Sequence, residues 1–139
     1  MSSVKLISLF SLTLLLLLVA ACTSYSQTGV KTTSHQDMQG GDVQVRVKKA
    51  NGSTVQDLEI DVIPGVVLEA SVTLTVEKGT FKIELLGEED EATLTLEARD
   101  GQTVSGQGQM YVDTFGETSY RVTATEAENV EYVIEYSFQ

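Results

Sequence analysis

Side chains able to do covalent chemistry are scarce in this chain. It has one cysteine, Cys22, and one histidine, His35. A hydroxyl or thiol nucleophile needs an imidazole or comparable base within hydrogen-bond reach. No His or Cys follows Asp42, so no nucleophile–histidine pair is expected in the patterned part of the chain. Acidic residues are abundant, but no carboxylate pair stands apart from the exposed faces of strands, as paired-acid catalysis would require. Glu88-Glu89-Asp90-Glu91 follows Gly87 and offers oxygen ligands of the kind calcium prefers. Calcium loops alternate ligands with spacers, so this run reads as a solvated turn that keeps strand ends from pairing, with calcium left open. No glycine-rich phosphate loop is present. The expectation is a chain that is not an enzyme, with no catalytic residue, no metal ligand and no cofactor.

Recognition by aromatic side chains is the next chemistry to consider. There is no tryptophan. Tyr120, Tyr132 and Tyr136 fall on apolar rows, where packing is expected rather than stacking on a sugar. Tyr111, Val67 and Val133 fall on the opposite faces, where together they would make a modest apolar patch for a protein partner.

Charge narrows the partners. All 20 acidic residues follow Cys22, as do eight of the nine basic ones, leaving that part of the chain with a formal charge of −12. Such a surface repels phosphate backbones and anionic headgroups, so neither nucleic acid nor peripheral lipid binding is expected. An envelope protein or a glycan remains as partner.

The elements that would carry these residues are strands. From Asp42 onward apolar residues recur with period two. Val43, Val45 and Val47 begin the pattern, followed by Leu58, Ile60 and Val62. Leu68 to Val76, Phe81 to Leu85, and Ala92 to Ala98 continue it. A weaker row runs through Val104, Gly106, Gly108, Met110 and Val112, where the glycines suggest bulges or close packing. Tyr120, Val122 and Ala124, then Val130 to Phe138, complete eight short strands. Asn51-Gly52, Pro64-Gly65, Glu77-Lys78-Gly79 and Asp100-Gly101 read as the turns between them. The fold class is all-β, an antiparallel β-sandwich of about eight strands, jelly-roll-like, over residues 42–139.

The N-terminal part differs. Lys5 precedes an apolar run from Leu6 to Val19, and Ala20 and Ala21 precede Cys22. A basic start, a short apolar core and a small-residue end read as a secretory signal over residues 1–21. The tetrapeptide Val19-Ala20-Ala21-Cys22 resembles the lipobox of bacterial lipoproteins. That resemblance implies cleavage before Cys22 and a diacylglycerol on its sulfur, often with a further acyl chain on the new amine. Two or three chains hold durably where one holds weakly. The implied location is a cell membrane or outer membrane, with the domain outside the cytoplasm. Residues 22–41 are read as the lipidated cysteine and a disordered polar tether containing His35.

The C-terminal half resembles the small jelly-roll sandwiches of the bacterial pre-peptidase C-terminal type. Ser119 to Ala124 as an aromatic-bearing strand, Glu126 to Asn129 as a polar loop, and Tyr132 to Tyr136 as a last strand match their layout. The Gly-Thr-Tyr that commonly precedes the aromatic strand is here Gly116-Glu117-Thr118-Ser119-Tyr120. The expected function is that of a non-catalytic cell-envelope lipoprotein presenting an acidic sandwich for interaction or envelope structure. The alternative is a carbohydrate- or peptide-binding module on the cell surface.

Overall fold

A computed structural model describes residues 24–138. The signal segment and Cys22 lie outside the described residues. Among the described residues seven strands form: β1 Ser26–Thr28, β2 Lys31–Gln36, β3 Gly40–Glu59, β4 Val67–Leu86, β5 Ala92–Arg99, β6 Gln102–Tyr111 and β7 Glu117–Ser137. All pairings are antiparallel. The protein is an antiparallel β-sandwich, as the alternation predicts. No described helix is long and apolar enough to cross a membrane.

Three strands of 20 or 21 residues build both layers. β7 lies between β3 and β4 along its whole length, and each of the three bends once. In one layer β1 and β2 pair with the first half of β3, and β6 pairs with the first half of β4. In the other layer β5 pairs with the second half of β4. The bends fall at register shifts between Ala50 and Gly52 and between Lys78 and Thr80, opposite Thr125–Glu128 of β7. An extra residue in a ladder kinks the strand and changes which parity faces inward. Inward residues accordingly pass from Leu74 and Val76 to Phe81 and Ile83.

Two sequence expectations change here. Asn51-Gly52 and Glu77-Lys78-Gly79 are bends within single strands, not reversals, and the predicted polar loop at Glu126–Asn129 is the bend of β7. The strand–loop–strand layout behind the pre-peptidase likeness is therefore one continuous strand. A glycine at positive φ serves a bulge as readily as a turn, and alternation on either side looks the same in both cases. Gly79 shows the need for it: φ is +80°, and a Cβ there would meet the Glu126 carbonyl at 2.2 Å. Asp100-Gly101 does turn tightly, but it joins β5 and β6, which pair with different halves of β4 rather than with each other.

The second change concerns the tether. Residues 26–36 are β1 and β2, hydrogen-bonded to β3, so the fold starts well before Asp42. Their side chains are exposed on both faces, which removes the hydrophobic period that would announce a strand. Backbone pairing to the edge of β3 is what orders them.

The core is one cluster between the layers, with Phe81, Leu68, Leu74, Ile83, Leu85, Met110 and Ile134 fully enclosed. Each such side chain contributes about 1.5–3 kcal/mol on burial. The rings of Phe81 and Tyr132 stack across the layers at 5.8 Å. At one edge β5 and β6 close the sandwich by direct approach. A Cβ on Gly108 would come within 2.6 Å of Leu94 Cβ, so only glycine permits it. There the Thr93 hydroxyl donates to the Gln109 carbonyl and accepts the Gln109 N–H at 3.1 Å.

Candidate functional site

The sandwich has two unlike ends. The bends of β3, β4 and β7 and the Asp100-Gly101 turn gather at one end, the corner, where β1 also lies, Ser26 opposite Asn51. The turns before β3, β4, β5 and β7 gather at the other, distal end.

The distal end carries most of the exposed apolar bulk. Met38 (97% exposed), Ile63 (77%), Phe115 (85%) and Val67 (49%) all stand there. An open cleft of about 790 Å³ is lined there by Gln36, Glu59, Asp61, Val62, Pro64, Thr114 and Phe115, among others. Its walls are fixed by local hydrogen bonding. Asp113 Oδ1 accepts the N–H groups of Phe115 (2.9 Å) and Glu117 (3.0 Å), while Gly116 N donates to the Asp113 carbonyl at 3.1 Å. This Asx turn occupies the loop's backbone donors and leaves the Phe115 ring pointing at solvent. On the opposite wall the Gln36 amide brackets Asp61, donating to its carbonyl at 3.2 Å and accepting its N–H at 3.4 Å. Tyr136 also donates to Gln36, at 3.2 Å. The result is one free aromatic face beside amide, carboxylate and hydroxyl groups.

The residues singled out from sequence are dispersed. Tyr120, Tyr132 and Tyr136 are buried, as their row predicts. Burial raises the Tyr120 hydroxyl above its ordinary value and pushes that of Tyr132 well above the usual phenol range, with the neighbouring tyrosine as a second cause for Tyr132. Val67 and Tyr111 are direct neighbours across β4 and β6, but Val133 sits opposite Thr73, about 20 Å along the strand from Val67. The three therefore form no single patch. His35 is exposed on β2 beside Asp42, Nδ1 to Oδ1 3.9 Å.

The acidic run forms the tip between β4 and β5. Its carboxylates do not converge, because Glu91 turns back to accept the Glu89 N–H at 2.8 Å. Among the described residues no group of three or more His, Cys, Asp or Glu is placed to hold a metal. Phe115 and Gln36 are the residues sequence reasoning missed. Phe115 sits in a loop outside any alternating row, and the only signal for it was a large aromatic next to Gly116 in a segment that needs no core residue.

Charge separates along the same axis. Arg46 pairs with Glu131 (3.3 Å), Arg99 with Glu97 (3.0 Å), and Glu84 with both Lys82 (3.0 Å) and Arg121 (2.8 Å). The hydrogen bond from Lys82, then that from Arg121, holds the Glu84 carboxyl below its ordinary range. Lys31 faces Arg46 across β2 and β3, while Lys48, Lys49 and Lys78 stand at or beside the bends. Every described Lys and Arg thus lies between the corner and the rows of Arg46 and Arg121, together with seven acids. Beyond those rows the distal part has thirteen acids and no base. The acidic surface expected from composition is concentrated at one end of the molecule.

No family model matches the chain, and no curated protein matches it in sequence. Solved structures resemble it in architecture. One is reported under the description that Bacillus endospore appendages form a novel family of disulfide-linked pili; it is 18% identical, with a TM-score of 0.48, covering 86% of this chain and 96% of that one. A second contains the CBM22-1 and GH10 modules of xylanase 10B from Clostridium thermocellum complexed with xylohexaose (12% identity, TM-score 0.45, 83% of this chain and 25% of that one). A third is a carbohydrate-binding module from Cellvibrio mixtus lichenase 5A with cellotriose (12%, TM-score 0.37, 82% and 90%). These likenesses concern the fold alone.

Proposed function

We propose that the chain is an exported, non-catalytic binding module, held by lipid on Cys22 at the outer face of a cell or outer membrane, whose distal cleft receives a carbohydrate. The observation that carries the reading is Phe115, exposed over 85% of its surface on the rim of a cleft with Gln36, Asp61 and Thr114. A sugar ring presents an apolar face and a rim of hydroxyls. It needs an aromatic plane to lie on and planar polar groups at its edge. Loops carry the contact groups while the packed sandwich positions them. The anchor rests on Val19-Ala20-Ala21-Cys22 at the end of an apolar run.

Affinity electrophoresis of the detergent-solubilised mature protein through gels containing neutral polysaccharides tests the cleft. At least one polysaccharide should retard the protein, and Phe115→Ala should abolish the retardation with an unchanged strand signal in circular dichroism. Equal retardation of both proteins, or none by any polysaccharide, would reject the cleft. Intact-mass measurement of membrane-extracted protein tests the anchor separately: an unmodified Cys22 or a retained Met1–Ala21 removes it. A second reading, a protein partner, draws on the apolar loop tips Met38 and Ile63. Co-purification of a defined envelope protein that Met38→Ser and Ile63→Ser together abolish would favour it.

A further inference from the structure

We infer that the charge partition orients the anchored domain, with the corner facing the anionic headgroups of its own membrane and the distal cleft held outward. The inference rests on the lipid at Cys22 proposed above. Ser24 follows Cys22 by two positions, a reach of about 7 Å when extended, and β1 begins at Ser26 beside the bend of β3. The corner is therefore the part of the fold nearest the bilayer. A tether this short sets the distance of the corner from the surface but not the tilt of the domain.

Charge decides the tilt. An anionic surface potential falls off within a Debye length, about 8 Å at physiological salt. The distal end stands about 33 Å from the corner, the length of β3 from Gly40 to Ala50. In the upright pose its thirteen acids lie outside the field, and the nearly neutral corner half is the part inside it. Lying on its side brings the distal acids into the field with no Lys or Arg among them to offset the repulsion. At the corner, Lys48, Lys49 and Lys78 make no ion pair within 4 Å among the described residues, so they are free to face headgroups. Four acids stand at the same bends: Asp100 and Glu77 accept from Gly79 N and the Asn129 amide, while Glu126 and Glu128 lie beside Lys49 and Lys78, so the corner is close to neutral rather than basic.

The test uses full-length lipidated protein reconstituted in vesicles, with lipid on Cys22 first verified by mass. Absence of that lipid is a failure of the anchor and is seen before any orientation is read. A single fluorophore is placed at Ser26→Cys or Met38→Cys, both exposed, and energy transfer to a headgroup-labelled acceptor is measured. On phosphatidylglycerol-containing vesicles at low salt, transfer should be strong from position 26 and several-fold weaker from position 38. Transfer from position 38 should rise about twofold on zwitterionic vesicles and in 1 M salt. It should also rise on anionic vesicles when Glu88→Gln, Glu89→Gln, Asp90→Asn and Glu91→Gln are combined. Transfer from position 38 that is indifferent to lipid charge, salt and the neutralised tip would overturn the inference.

Discussion

The hydroxyls of Tyr120 and Tyr132 meet at 2.9 Å inside the sandwich, although both belong to β7. Tyr120 precedes the bend and Tyr132 follows it, so one strand faces itself across the core. Their rings pack edge-on at 5.8 Å. The contact ties the two layers at the point where the bend brings them together. Removing one hydroxyl strands the other in an apolar site, whereas removing both does not. Tyr120→Phe and Tyr132→Phe should each cost about 1–2 kcal/mol, and the double variant less than their sum. Urea titrations of the four proteins provide the cycle; strict additivity would show that the hydroxyls do not interact.

The same pair predicts an alkaline limit. Burial raises both hydroxyls in the folded state, while the unfolded chain ionises at its ordinary value of about 10. Below that value both states keep the proton and stability is full. Above it the unfolded state binds fewer protons than the folded one, so stability falls as pH rises toward the raised folded value. Phenolate absorbance of these two residues should appear together with loss of the strand signal. Their ionisation in a still-folded protein would contradict the enclosed site.

Thr118 has the opposite defect. It is 1% exposed, and its hydroxyl has no hydrogen-bond partner among the described residues. Valine has the same shape without the polar atom, so Thr118→Val should stabilise the domain by about 1 kcal/mol. A denaturation midpoint lower than that of the parent protein would indicate a partner for the hydroxyl.

Gly108 is where two sheet edges touch. A methyl group there must displace the Leu94 side chain and lies 3.3 Å from the Thr93 carbonyl, so Gly108→Ala should cost about 1–3 kcal/mol. Gly101 has φ of +74° but open space around it, and Gly101→Ala should cost about 1 kcal/mol through backbone strain alone. Paired thermal melts compare the two. Equal losses, or a larger one at Gly101, would mean that β5 and β6 are not in close contact.

Alternation was legible along the chain because a half-buried strand imposes period two on its own residues. Val43, Leu74, Ile83, Val122 and Ile134 fall on the apolar rows of the sequence, and all are buried. The glycines at 106 and 108 read in sequence as bulges or close packing, and the structure shows the close packing, against Leu94 and Leu96. Strand continuity was not legible. Asn51-Gly52 and Lys78-Gly79 look the same whether the chain reverses or bends, and only the partner, unbroken β7, distinguishes the two. Nor were β1 and β2 visible, because backbone pairing orders them without burying a side chain.

By itself, then, the order of residues determined the strand faces, the apolar core and the acidic total, all of which are local or additive properties. The tertiary structure alone decided that β7 would carry both layers, that Phe115 and Gln36 would share a cleft, and that every described Lys and Arg would lie toward one end. The reason is the same in each case: these relations join residues far apart in sequence, and three bends chosen by strand pairing bring them together.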